Sequence, residues 1–136
     1  MNTKVLFIGP SPSKKNTDPN IAFKGTKSYT TLLKWIKQLG LKENECEFFN
    51  ISNRIGAKKF HGLDILNLYY TLKDAKNRKM KIITLGKQVQ KTLDKNPDYF
   101  RTMFFSLPHP SGLNRKLNDK TYVKKELGIC KKWLKG

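Results

Sequence analysis

The sequence contains few cysteines and no long apolar runs, and each absence excludes some classes of protein. Cys46 and Cys130 are the only cysteines, too few for a four-cysteine zinc site or an iron–sulfur cluster, and they suggest no disulfide framework. No apolar stretch approaches the ~20 residues of a membrane helix, and the amino terminus shows no signal-peptide pattern. We therefore expect a soluble protein in a reducing, cytoplasmic compartment, without a metal or a cofactor.

Acidic residues are also scarce. The chain carries 28 Lys and Arg against 10 Asp and Glu, a formal net charge of +18. Such an excess favours a polyanionic partner, above all nucleic acid, because neutralising phosphates releases counterions. A lysine-rich surface from a biased composition is the alternative interpretation. A membrane surface is disfavoured because no strongly apolar, basic amphipathic helix is evident.

The pattern of apolar runs predicts an α/β fold. With 136 residues, the chain has the length of one domain, residues 1–136. Four short apolar runs have the pattern of strands that are buried on both faces. They alternate with amphipathic helical patterns, and this alternation predicts a three-layer sandwich with a central four-stranded parallel sheet. The predicted strands are Val5–Gly9, Cys46–Ile51, Lys81–Gly86 and Met103–Leu107, and the helical segments are 28–40, 62–79, Gln88–Leu93 and a last one from about Asp119.

Ligands of parallel sheets bind beyond the carboxyl ends of the strands, where polar loops follow each predicted strand. His109 lies in one of them, fixed between Pro108 and Pro110, where it can donate to a developing anion or satisfy a turn. Asn50 ends the second strand and can read a base edge or cap its own turn. For Phe23, the two alternatives are stacking on a base and packing in the core. The first loop is no P-loop, but its Ser, Asn and Lys side chains suit phosphates or an ordinary surface equally well.

Three segments in this order resemble motifs of the uracil-DNA glycosylase superfamily, particularly its mismatch-specific branch. They are "VLFIGPSPS", "IITLGKQVQKTL" and "LPHPSGLNR". The resemblance implies a four-stranded parallel sheet and an enzyme that flips a base out of DNA and cuts its N-glycosidic bond. The small size and the lysine- and asparagine-rich composition would suit a phage or an AT-rich bacterium.

The resemblance also implies roles for individual residues. His109 would stabilise the departing base anion, Phe23 would stack on the flipped base and Asn50 would read its edge. Leu113 would fill the vacated stack. We also assign Pro10 to base binding and the following residues to DNA binding: Ser13, Lys14, Lys87, Ser111, Asn114 and Arg115.

Ser11 departs from the family pattern. Many active relatives carry Asp or Asn at this position to orient the attacking water, and a hydroxyl is a poorer base. Asn16 and Asp18 lie further along the same loop and could substitute for it.

The expected function is hydrolysis of the bond between deoxyribose and uracil or a modified pyrimidine. The alternatives are a non-catalytic binder of modified or damaged bases and a transferase or lyase that acts on a pyrimidine. The expected partner is DNA, either a duplex with a flipped base or a single strand, and we expect a monomer.

Overall fold

A computed structural model describes residues 4–11, 27–54, 59–95, 104–110 and 119–136. Strands and helices alternate along these ranges. The elements are β1 Val5–Gly9, α1 Lys27–Gln38, a 3-10 turn Glu43–Glu45, β2 Cys46–Asn50, α2 Gly62–Asn77, β3 Lys81–Leu85, α3 Lys87–Lys95, β4 Phe104–Leu107 and α4 Lys120–Lys135.

The four strands form one parallel sheet in the order β2-β1-β3-β4. Val5 pairs with Cys46 on one side and with Lys81 on the other, and Ile82 pairs with Phe104. The chain runs outward from β1 to β2 and then crosses to β3 on the opposite side of β1. The topological switch point therefore lies between β1 and β3, where sheets of this kind bind ligands at the carboxyl ends of the strands.

Each face of the sheet has its own core, which is why the strands read as continuous apolar runs. Side chains alternate between the two faces of a strand. Phe7, Ile83, Leu85 and Leu107 pack with α1 and α4, whereas Leu6, Ile8 and Ile82 pack with α2 and α3. The predicted three-layer α/β architecture is confirmed.

The helix ends show why these segments are helical. Gly40 follows α1 with φ +79, a left-handed conformation that glycine adopts without strain. Asp119 caps α4, its Oδ1 accepting a hydrogen bond from the amide of Tyr122 at 3.0 Å. α3 extends one residue before and two residues beyond its predicted range. Within the described ranges, no helix has the length and apolarity needed to cross a membrane.

Candidate functional site

The ends of β1 and β2 are held together beyond the last strand residues. The amide of Ile51 donates to the carbonyl of Gly9 at 2.9 Å, and that of Ser52 donates to the carbonyl of Pro10 at 3.0 Å. Pro10 and Ser11 are half-buried there. The backbone of this polar segment is therefore fixed at the switch point of the sheet.

Asn50, the last residue of β2, has a buried carboxamide to which no described residue is hydrogen-bonded. Its side chain is enclosed, with 7% of the residue exposed, and neither Nδ2 nor Oδ1 makes a hydrogen bond to the described part of the protein. An unpaired buried amide is costly, and such groups are normally satisfied by water or a ligand. Its sheet partner Gly9 has no side chain to fill the space beside it. The Asn50 carboxamide thus keeps a donor and an acceptor that no described residue uses.

His109 lies just beyond β4, packed against the end of β3. Gly86 directly follows β3 with φ +93, and a Cβ placed on it would lie 3.2 Å from the His109 Cβ. Only glycine combines this backbone with so close an approach. Gly86 is also tied to β4, since its amide donates to the carbonyl of Leu107 at 2.9 Å. The imidazole is therefore positioned by β3 as well as by its flanking prolines.

Burial lowers the pKa of His109 below its ordinary value of 6.5, because a desolvated site disfavours the charged imidazolium. The ring is therefore neutral near pH 7. A neutral imidazole donates one hydrogen bond through its protonated nitrogen, so it can meet an anion without a proton having to be taken up first.

A cavity of about 360 Å³ opens beside His109. Its described lining comes from α3, β4, α4 and the segments that directly follow β3 and β4, and it includes both Lys87 and His109. The lining residues are Gly86, Lys87, Gln90, Ser106, Leu107, Pro108, His109 and Tyr122. Beneath it, the hydroxyls of Thr84 and Ser106 are hydrogen-bonded at 2.7 Å and link β3 to β4.

Six of these lining residues were not identified as site residues from the sequence: Gly86, Gln90, Ser106, Leu107, Pro108 and Tyr122. Gly86 had a signal, since it falls in the second of the three motifs. Tyr122 had none, because its place in the first turn of α4 brings it to the cavity only through packing of that helix.

The remaining described side chains restrict the chemistry. Burial raises the pKa values of the Cys46 and Cys130 thiols to about 12, so neither is a ready nucleophile. No group of three His, Cys, Asp or Glu residues suited to a metal ion occurs within the described ranges. The described polar groups at the rim include the Ser11 hydroxyl, the Asn50 carboxamide, the Lys87 ammonium and the His109 imidazole.

The structure places five of the predicted site residues at the carboxyl rim: Pro10, Ser11, Asn50, Lys87 and His109. They occupy the ends of all four strands, with Asn50 and His109 on the two outer ones. The other predicted site residues lie outside the described residues. These are Ser13, Lys14, Asn16, Asp18, Phe23, Ser111, Leu113, Asn114 and Arg115.

The structure defines an α/β protein whose parallel sheet carries a buried amide and a neutral imidazole near its carboxyl rim. The sequence matches the profile of the Uracil DNA glycosylase superfamily over residues 1–128, and the chain belongs to that superfamily. A comparison with curated proteins returned no match. Membership implies binding to DNA.

Proposed function

We propose that this protein is a DNA glycosylase that flips uracil or a modified pyrimidine out of DNA and hydrolyses its N-glycosidic bond. The observation that carries the proposal is the buried carboxamide of Asn50 at the end of β2, to which no residue within the described ranges is hydrogen-bonded. A pyrimidine presents a carbonyl or exocyclic group beside a ring nitrogen, which a carboxamide matches with one donor and one acceptor.

The span of the rim fits this ligand. Three inter-strand steps separate β2 from β4, which amounts to roughly 14 Å at about 4.8 Å per step. Two medium-sized side chains with one planar base between them have a combined length of that order. Asn50 would hold one edge of the base and His109 another. Unstacking the base costs a few kcal/mol, which these contacts and phosphate binding offset.

Bond cleavage would draw on fixed donors rather than on a strong base. The C1′–N1 bond breaks and its electron pair leaves with the base, while C1′ becomes cationic and takes up the oxygen of a water molecule. The N–H of neutral His109 would stabilise the base anion, and the Ser11 hydroxyl would orient the water, whose proton passes to solvent or to the departing base. Preorganised donors aimed at developing charge are among the largest contributions to catalysis.

Ser11 also bears on the substrate class. A hydroxyl orients water but supplies no charge to favour the cationic sugar, so the better leaving groups among pyrimidines would react fastest. We place the chain nearest to the mismatch-specific branch on its three motifs. Its composition supports a phage or AT-rich bacterial source and a cytoplasmic site of action.

The direct experiment is incubation with labelled oligonucleotides that carry uracil, mismatched thymine or hydroxymethylated pyrimidines, followed by alkali. We expect strand breaks at one or more of these bases and a loss of about 10²- to 10³-fold in rate for His109→Gln, as for removal of one anion-stabilising donor. Lys76→Gln, an exposed lysine on α2, is the matched surface control. No break with any of these bases would refute the glycosylase.

A non-catalytic binder of altered bases is the second candidate, and Ser11 favours it because that position lacks a carboxylate or an amide. It predicts saturable binding of a modified-base oligonucleotide that Asn50→Leu abolishes, with no strand breaks under any condition. Excision by the wild-type protein at a rate that Ser11→Ala lowers would decide against this candidate.

A further inference from the structure

A second groove lies on the flank of α3, between that helix and the start of α2. Its volume is about 390 Å³, and it shares none of its described lining residues with the His109 cavity. The chain segment before α2 and the first turn of α2 supply one wall. The other wall is the outer side of α3, the helix whose first turn also borders the His109 cavity.

The groove is basic on its edges. Lys59, Lys91 and Lys95 line it, and all three are exposed. Among the described residues, none of them forms an ion pair, whereas Arg54 and Arg78 do. Asp94, the one acidic residue of α3, makes no ion pair with them within the same ranges. Among the residues that the structure describes, the positive charge of the groove is therefore not compensated.

The wall of the groove is apolar and partly aromatic. Phe60 and Ile65 line it, and both are half-buried side chains that pack against the core shared by α2 and α3. A half-buried aromatic ring fixed by the core keeps little freedom to lose on binding, so it is a preorganised stacking surface. Ammonium groups beside an aromatic ring are the combination that binds single-stranded nucleic acid.

Lys87, Lys91 and Lys95 connect this groove to the His109 cavity. They recur every four residues along α3, in steps of about 6 Å, which is comparable to the separation of successive phosphates in one strand. Lys87 borders the His109 cavity and the other two border the groove. One strand that leaves the cavity can therefore meet an ammonium group at each successive phosphate.

We propose that the groove between α2 and α3 binds an unpaired nucleotide on the same strand as the reacting one, with its base on Phe60 and its phosphates on Lys91 and Lys95. The direction of the strand rests on the proposed glycosylase function. A paired nucleotide is the poorer occupant, because a duplex hides the faces of its bases and would leave the ring without a partner. The protein then favours substrates with a single-stranded flank.

The test measures equilibrium binding of a labelled single-stranded oligothymidylate and of a labelled hairpin duplex of equal length, neither containing a substrate base. For Phe60→Leu we expect about tenfold weaker binding of the single strand, within the range for loss of one base–aromatic stack, and little change for the hairpin. Phe60→Tyr keeps the aromatic face and should bind like the wild type. Thermal unfolding followed by circular dichroism checks that each variant is folded.

The lysines are tested with a pair of charge-matched double variants. Lys91→Gln with Lys95→Gln should lower the slope of log K against log salt for the single strand by about 1.4, at roughly 0.7 per phosphate contact. Lys34→Gln with Lys37→Gln removes the same charge from α1, on the opposite face of the sheet, and should leave the slope unchanged.

Single-strand binding by Phe60→Leu at wild-type strength would overturn the proposal, as would equal losses for single strand and hairpin in the Lys91 and Lys95 variant. The outcome is separable from that of the glycosylase. Weakened single-strand binding in Phe60→Leu, together with no excision by the wild type, would support the groove and refute the enzyme. Excision by the wild type, together with unchanged single-strand affinity in Phe60→Leu, would support the enzyme and refute the groove.

Discussion

Asn50 holds a buried amide that the described protein leaves unsatisfied. If the amide exists for a ligand, replacing it with an apolar group of similar shape should relieve its desolvation cost. For Asn50→Leu we expect a gain of about 1 kcal/mol in the free energy of unfolding, measured by urea denaturation, together with loss of excision. A stability loss of similar size would instead mean that the amide supports the fold.

Gly86 is the residue on which the placement of His109 depends. Ala at this position meets a left-handed backbone and a Cβ contact of 3.2 Å with His109. We expect Gly86→Ala to cost about 1–3 kcal/mol of stability and to lower the excision rate. The matched control is Gly128→Ala within α4, where the new methyl has open space and should stabilise by roughly 0.5–1 kcal/mol. Equal effects of the two changes would contradict this account.

The lowered pKa of His109 predicts a pH dependence of stability. Between pH 6.5 and the lower folded-state pKa, the unfolded chain binds a proton that the folded protein excludes, so the free energy of unfolding falls as pH falls. The slope from one proton is at most about 1.4 kcal/mol per pH unit. Urea midpoints at pH 7.5 and 5.5 should differ less in His109→Gln than in the wild type. Identical pH profiles would refute the assignment.

At the scale of elements, the cap of α4 supports one wall of the cavity. Asp119 accepts from the amide of Tyr122, and Tyr122 lines the cavity. Asp119→Ala should cost about 1 kcal/mol of stability and reduce excision less than His109→Gln does, because it loosens a wall and removes no reacting group. Asp119→Asn keeps the cap and serves as the control. Unaltered thermal stability in Asp119→Ala would contradict the role of the cap.

The sheet itself was predictable as an element, because a parallel strand between two helical layers must be apolar on both faces. Val5–Gly9 and Lys81–Leu85 show this plainly, and their parallel pairing followed from the helices between them. The strand order, in which β1 lies between β2 and β3, is a consequence of packing, and the apolar runs themselves do not specify it.

At the scale of the whole molecule, charge is distributed unevenly. Acidic residues near the amino ends of the strands are compensated, since Glu45 pairs with Lys4 at 2.8 Å and Glu47 pairs with Arg78 at 2.6 Å. Lys87 at the opposite rim has no such ion pair within the described ranges. We expect the Lys87 ammonium to help draw DNA to the rim that carries Asn50 and His109.

This polarity predicts that lysines of equal charge differ in effect. Lys87→Gln, at the rim, should lower the salt slope for duplex DNA by about 0.9. Lys76→Gln, in the last turn of α2 near the opposite end of the sheet, should leave it unchanged. Fluorescence anisotropy titrations over a range of salt concentrations provide the slopes. Equal reductions for both variants would show that the whole surface binds DNA non-specifically.

The sequence by itself determined the four strands and their helices, because apolar periodicity is a local property of the chain. Three short motifs determined the superfamily. Asn50, Lys87 and His109 could be placed at strand ends because each ends an apolar run or lies just after one. The roles of Phe23 and the other residues outside the described ranges stay predictions. Only the tertiary structure decided that the Asn50 amide is buried with no hydrogen-bond partner among the described residues, that Gly86 packs against His109, and that Lys91, Lys95 and Phe60 line one groove. Those relations join residues far apart in the chain, and packing sets them.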